Sequence, residues 1–570
     1  MRRVLMITSV LSIGGLPALA QPSDGGTPQL GVDVGSQEIP LDPARNPDVP
    51  YDLSKCVNGH APPMMVYSNS GQGNTAQELA GPCTPLEVRS AAAALGMGRN
   101  RPIRIKSIST LRFTANGTLA GSGGRMDKIS KMLMQLSYVD PALRMQLEGS
   151  HADGAPLKEI RVFNGAAAWN ETAPGLGATA VAATAAGERA PLLKLTPMGA
   201  LWSIIDAEGN AEVAHVHGKL TLSGVSPYDG FPVTITFSAQ NLPEKVEVLA
   251  NKHRYEAVFE HYRAEVPAYG VVFPSHIVWR MDGKPLADLH VTEFRDNPYV
   301  IFPIPAVAAA QYQAASAMKR PLPYQLMAAS LKPNGPTPRT PDGHPDLSGA
   351  WGGLPDRGPG NMTERRSNAV VNIDMALGVR AWVVRAPYKP EVWGKVESLD
   401  FGKITDDPGM RCVPKGLPRS GPPTNIMQDA GKLWFVDQGY PLATIREIPV
   451  DGRARDPDDL DQDTYLGIPL GHWEGDTLVI ESTGFTDNSW LAWNGYFHTN
   501  RMTVVERIRR DGDLLYWEAW VHDPAILTEP YMVQPMIRRL ITSPMARINE
   551  APPCDEMAID KMPDPYFRGP

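Results

Sequence analysis

Alternation of apolar and polar residues organises most of this chain, and it falls into two blocks. In the first, strand-like runs recur at 103–106, 161–165, 216–222, 233–238, 245–250, 255–262, 271–281 and 288–294. A period of two sends successive side chains to opposite faces, so each run predicts a half-buried β-strand. Asp282-Gly283 between two of them predicts a tight hairpin, since both residue types tolerate the positive φ that such turns need. One helix interrupts the pattern. Thr196 is a side-chain cap followed by Pro197 at the first helical position, and Met198, Leu201, Trp202 and Ile205 then share a face. The expected structure is a meandering antiparallel sheet covered on one side by this helix, with a second, alanine-rich helix over 306–318 closing the domain.

The second block carries seven candidate strands, at 433–437, 443–450, 471–474, 477–482, 503–509, 514–522 and 531–540. Asp451-Gly452, Gly475-Asp476 and Asp511-Gly512 supply turns between them. Sequential strands joined by tight turns favour an up-and-down sheet, which closes into a barrel to remove its edges. The reading is therefore mostly β. An irregular segment spans 21–99, an antiparallel half-barrel with a covering helix spans 100–320, a proline-punctuated linker spans 321–345, and a lipocalin-like barrel spans 346–570.

Residues 1–20 change the picture of compartment. Arg2 and Arg3, a short apolar run and Ala18-Leu19-Ala20 have the order of a secretory leader, too short for a retained membrane helix. No later apolar run is long enough to span a bilayer, so the expected location is periplasmic or secreted. A net charge of −8 on 570 residues gives no reason to expect nucleic acid as a partner. The 55 prolines and 52 glycines suit a loop-rich β protein rather than a helical bundle. Four cysteines in an oxidising compartment predict two disulfides, with Cys56–Cys83 and Cys412–Cys554 the simplest of three pairings. No CxxC spacing supports zinc instead.

Several motifs stand out in the second block: Pro-Asp-Gly-His-Pro-Asp-Leu-Ser-Gly at 341–349, Gly-His-Trp-Glu-Gly-Asp-Thr-Leu-Val at 471–479, Val-Glu-Arg-Ile at 505–508, Asp523-Pro524, and Cys412 and Cys554 with their neighbours. With these the region 340–560 resembles a family of exported bacterial proteins. Residues 100–300, with Arg-Val-Phe-Asn-Gly at 161–165 and Val-Val-Phe-Pro-Ser-His-Ile at 271–277, resemble lipoprotein-carrier-type half-barrel sheets. Neither resemblance implies a reaction.

The chemistry-bearing candidates each have a structural counterpart. Glu506 shares its strand face with Met502, Val504 and Ile508, which points a carboxylate into an apolar side. Such a group is either a general acid or base, or half of an ion pair, with Arg446 the expected partner. His498 in a long loop is a proton-transfer candidate or a surface histidine. Catalysis by His498, Glu506 and Arg446 requires the three to converge on one cavity. Trp473, Trp490, Tyr496, Tyr516, Glu518 and Trp520 would line an aromatic ligand site; the last three alternate on one face, which is either a cavity wall or the sheet exterior. Glu474 and Asp476 read as turn residues in preference to a carboxylate pair. His215-x-His217 would place two rings on one strand face for a metal, against the plainer reading of sheet-surface histidines; no metal or cofactor is predicted. GxSxG, HExxH, P-loop and GxGxxG signatures are all missing from the sequence.

The favoured expectation is an exported protein that holds an apolar or aromatic small molecule in its barrel. The alternatives are an acid–base enzyme, a lyase, isomerase or hydrolase, acting on such a molecule, and a structural or partner-docking protein.

Overall fold

The computed structural model describes residues 64–70, 73–79, 85–97, 108–138, 141–165, 167–207, 210–264, 271–314, 332–352, 385–400, 408–437, 443–491, 495–533 and 535–542. The leader, the run 103–106 and Cys56, Cys83 and Cys554 lie outside them. The described residues are mostly β, with one 13-stranded antiparallel sheet and one nearly closed nine-strand, barrel-like sheet. None of their helices is long and apolar enough to cross a membrane.

Two meanders make the large sheet. From Thr110–Ala120 one arm steps outward in chain order through Met126–Ser137, Ala142–Ser150, Pro156–Asn164 and Ala167–Glu171 to Thr179–Ala180. The other arm starts at Lys284–Asp296 and steps backward through the chain to Glu212–Val216. The arms meet where Thr110–Ala120 pairs with Lys284–Asp296, Phe113 opposite Phe294. Every other neighbouring pair is consecutive in the chain.

The inward residues of this sheet pack on the predicted helix, Pro197–Asp206. Thr196 caps it, its hydroxyl accepting from the Gly199 amide at 3.2 Å. The helix is buried along its whole length, not on one stripe alone. A further helix, Leu86–Ala94, adds Val88, Ala91 and Ala92 to the same core. This helix and the hairpin Met64–Ser70/Gly73–Leu79 fall in the segment expected to be irregular. Their local patterns are short, and the helix is packed against the distant helix Pro197–Asp206. The concave face is thus occupied by the chain itself: Met198, Leu201, Trp202 and Ile205 are all at most 1 % exposed. Trp202 and Trp279, fully enclosed, donate their indole N–H groups to the Ile108 and Leu195 carbonyls.

The segment after the last strand joins the two halves by simple alternation. Tyr299 and Ile301 pack into the barrel core, whereas Val300, Phe302 and Ile304 pack with Trp169 and Val162 on the large sheet. Tyr299 donates its hydroxyl to the Ala386 carbonyl at 2.7 Å and meets Tyr388 and Tyr496 edge-on. Arg112–Glu397 (3.3 Å) and Arg144 stacked over Trp393 add polar ties between the halves. The expected second helix is a 3-10 turn Ala306–Ala308 running into Ala309–Ala314, and the rest of its range lies outside the described residues.

The barrel sheet runs in the order Thr444–Pro449, Lys432–Asp437, Asn425–Asp429, Gly349–Gly352, Met536–Leu540, Leu514–His522, Thr503–Asp511, Thr477–Thr483, Ile468–Glu474. The up-and-down order holds within each arm, but the short strand Gly349–Gly352 bridges them. It was too short to show a period. The second half of the expected linker also belongs here: Asn334 donates its backbone N–H to Asp513 at 2.7 Å, and Gly512 donates to the Thr337 hydroxyl. Prolines there set an extended path along the barrel rather than a free connection.

Gly199 offers a sharp test of the buried helix. A Cβ at this position would lie 1.8 Å from the Leu193 carbonyl oxygen, a backbone atom that cannot swing away. Gly199→Ala should lower stability by at least about 1–3 kcal/mol in urea denaturation. Gly394→Ala, where a Cβ meets nothing within 4 Å, should be neutral or slightly stabilising.

Candidate functional site

The barrel does not close by backbone hydrogen bonds. Its two end strands, Thr444–Pro449 and Ile468–Glu474, approach each other without pairing. At one end of this seam the approach is tight: a Cβ on Gly471 would lie 2.8 Å from Val450 and 3.1 Å from Ile448. At the other end the strands part around a cleft of about 330 Å³. Ile445, Arg446, Tyr465 and Leu466 line it, with Thr444, Thr464, Pro414 and Pro469. The cause lies in the chain between the strands. Asp451-Gly452 was expected to be a tight hairpin, but an excursion from 450 to 467 containing the 3-10 turn Pro457–Asp461 intervenes. No ladder therefore forms across the opening.

Arg446 reaches inward from this edge because alternation along its strand buries Arg446 and Ile448 and exposes Ile445 and Glu447. Its guanidinium donates to Glu506 at 2.5 Å and to the Ser482 hydroxyl at 3.2 Å. Glu506, with no solvent exposure, takes its second bond from the Trp517 indole N–H at 3.0 Å. Both carboxylate oxygens are thus satisfied, as a buried charge requires. Around this network the interior is filled by side chains, among them Phe435, Leu478, Ile480, Val504, Ile508, Trp517 and Val521.

His498 is brought elsewhere. It is 3 % exposed and hydrogen-bonds the Ser489 hydroxyl through Nε2 at 2.8 Å and the Thr499 carbonyl through Nδ1 at 3.0 Å. A carbonyl only accepts, so Nδ1 carries the proton and Nε2 accepts from Ser489. Asp523 fixes the next residue, accepting from the Thr499 amide and hydroxyl at 2.7 and 3.0 Å. Burial pushes the His498 pKa down, so the ring is held neutral. The hydroxyl–imidazole pair has the pattern of an activated nucleophile, but Ser489 is 2 % exposed and sits under Gly416. Among the described residues no approach to it is open.

The expected aromatic wall is distributed over three places. Tyr496 belongs to a cluster with Tyr299, Tyr388 and Tyr531, with ring centres 5.7 to 6.3 Å apart, and Trp490 is buried in the same core. Burial holds the Tyr299 and Tyr388 hydroxyls well above the usual tyrosine range, so they stay protonated and donate to the Ala386 and Phe497 carbonyls. Trp473 stacks on His344 at 4.6 Å. Tyr516, Glu518 and Trp520 alternate with the fully buried Leu515, Trp517, Ala519 and Val521, which places them on the outer face of the sheet; Arg509 lies over the Tyr516 ring.

The motifs of the second block meet one another. Trp473 and Asp476 of the 471–479 motif engage His344 and Arg339 beside and within the 341–349 motif, Arg339 pairing with Asp476 at 2.7 Å. Glu474 pairs with Arg507 at 2.8 Å on the exterior, consistent with turn residues rather than a carboxylate pair. Cys412 is disulfide-bonded; the other three cysteines, and hence the expected pairings, lie outside the described residues. His215 lies in a strand, but His217 sits in the two-residue turn that follows, at φ 51° with Gly218 at 78°. The strand geometry assumed for the His-x-His pair is therefore lost. Sequence reading missed Ile445, Tyr465 and Leu466 as cleft walls. The one available signal was an apolar Ile445 on an edge strand, 69 % exposed.

No family model matches the chain, and no curated protein matches it.

Two measurements test this geometry. Removing Glu506 leaves a buried, unpaired guanidinium, so Glu506→Ala should cost about 3–5 kcal/mol in denaturant unfolding; the double change Arg446→Met/Glu506→Leu should cost much less. His498 has a folded pKa below its unfolded value. Its stabilising contribution is therefore complete above about pH 6.5 and drains away as pH falls from there through the folded pKa. His498→Gln should flatten that limb of a stability–pH curve.

Proposed function

We propose that the chain binds a small molecule with an apolar or aromatic body in the seam cleft of its C-terminal barrel, outside the inner membrane. The observation that carries this reading is the mismatch between a filled barrel interior and an open, apolar-walled gap in its seam. Ile445, Leu466, Pro414, Pro469 and the Tyr465 ring make a surface suited to an apolar body. Thr444, Thr464, Glu447 and the edge of Arg446 add a few polar groups to orient it. A volume of about 330 Å³ is at the small end of ligand sites, which suits a single-ring or short-chain molecule rather than a lipid. The leader at 1–20 and the likeness to exported bacterial proteins support the location.

An acid–base enzyme built on His498, Glu506 and Arg446 has less behind it. Glu506 is already held by Arg446 and Trp517, while His498 is bonded to Ser489 and Thr499 in a closed setting. The large sheet does not offer a second apolar trough, since its own helices fill the concave face.

Native mass spectrometry of protein recovered without refolding should show a small bound mass that is lost on denaturation. Ile445→Glu puts a charge on the rim of the cleft at an already exposed position. It should weaken binding of that molecule, or of a fluorescent apolar probe, at least about tenfold, with an unchanged melting temperature. Equal binding by the variant and the parent chain would remove the seam cleft as the site.

A further inference from the structure

On the outer face of the large sheet, three neighbouring strands bring a set of ligating side chains together. His253–Ala264 contributes Glu260, Val272–Met281 contributes His276, and Lys284–Asp296 contributes Asp288 and His290. Register explains the meeting. Glu260 lies opposite His276 and His276 opposite His290, while Asp288 and His290 are two residues apart and so share a face. The imidazoles of His276 and His290 lie parallel, with centres 4.8 Å apart and planes 10° apart. One ligating atom from each of His276, Asp288 and His290 falls within 4.8 Å of the others.

We propose that His276, Asp288 and His290 form a binding site for a divalent transition-metal ion of the zinc type. Glu260 makes the set more than a chance cluster. It accepts a hydrogen bond from His276 Nδ1–H at 2.8 Å, which leaves Nε2 facing Asp288. A carboxylate behind a ligating histidine fixes the tautomer and raises the ring's basicity, as the second sphere of metal sites requires. In the metal-free chain, His276 Nε2 instead meets Asp288 Oδ1 at 2.8 Å. That nitrogen and that carboxylate oxygen already stand where one ion would bridge them. Two imidazoles and one carboxylate give the nitrogen–oxygen set that zinc accepts, and the exposed flank leaves the remaining position to water. The site shares no residue with the barrel cleft.

The test is calorimetric titration of the tag-free full chain with Zn²⁺ at pH 7.5. One ion should bind, and His290→Gln or Asp288→Asn should each weaken it by about 10–100-fold or abolish it. Glu260→Gln should weaken binding while leaving the stoichiometry intact. Lowering the pH to 5.5 should suppress binding, because imidazole ligates only in its neutral form. His215→Gln/His217→Gln, on exposed histidines elsewhere in the same sheet, should change nothing. All four side chains are on the surface, so unchanged melting temperatures of the metal-free variants would exclude misfolding as the cause. The proposal is overturned if the parent chain takes up no Zn²⁺, or if His290→Gln and Asp288→Asn bind it as the parent does.

Discussion

A β-sheet whose end strands do not pair must be held in its curved shape by something other than a ladder, and in the C-terminal half that is the contact between Arg446 and Glu506. Arg446 stands on one end strand; Ser482 and Glu506 stand on the two strands next in from the other end. The guanidinium therefore spans the seam from inside. Beside it, the two arms are joined through Gly349–Gly352, the packing of Ile448 and Val450 against Gly471, and the shared side-chain core. An ion pair in this position is weak evidence for net stability, because both charges lose their hydration. It does specify geometry. Apolar side chains would pack in many relative positions of the two edges, whereas Nη2 of Arg446 meets Glu506 and Ser482 together in few.

The same constraint explains where the open space lies. The seam is sealed at Gly471, pinned at Arg446 and parted at Thr444–Ile445, where the excursion through 450–467 comes back along 464–467. A cleft in a seam differs from a pocket in a barrel interior. Its walls are the edge of Thr444–Pro449 and the returning chain at 464–467, and Arg446 is both a wall of the cleft and a group that ties this edge to the other arm.

Much of this was legible in the chain, for reasons that separate by range. The strands at 477–482 and 514–522 and the capped helix at Thr196 follow from period and local chemistry, which neighbouring residues carry. The inward aim of Glu506 and its pairing with Arg446 were open to the same logic, because a carboxylate among Val504 and Ile508 needs a cation and Arg446 sat among apolar neighbours. What escaped was decided at long range. Gly349–Gly352 is a strand only because two distant strands need a neighbour. Tyr516 and Trp520 face outward because Trp517 and Val521 are needed inside, and alternation alone does not say which face wins. Asp451-Gly452 has the composition of a tight turn, but a turn signal cannot announce that the next residues fail to pair. The cluster around His276 rests on cross-strand register, and no single run of sequence holds it.

The junction of the two meanders bears on how the molecule comes into being. Thr110–Ala120 has its second neighbour in Lys284–Asp296, so nearly two hundred residues must emerge before the sheet is continuous. Until then one arm carries a raw edge of unpaired amides and carbonyls, and a loop of that length closes slowly. A chain that assembles in this order gains from being kept extended until it is complete. Crossing a membrane as an unfolded thread, and meeting its last strand only on the far side, would suit such a topology.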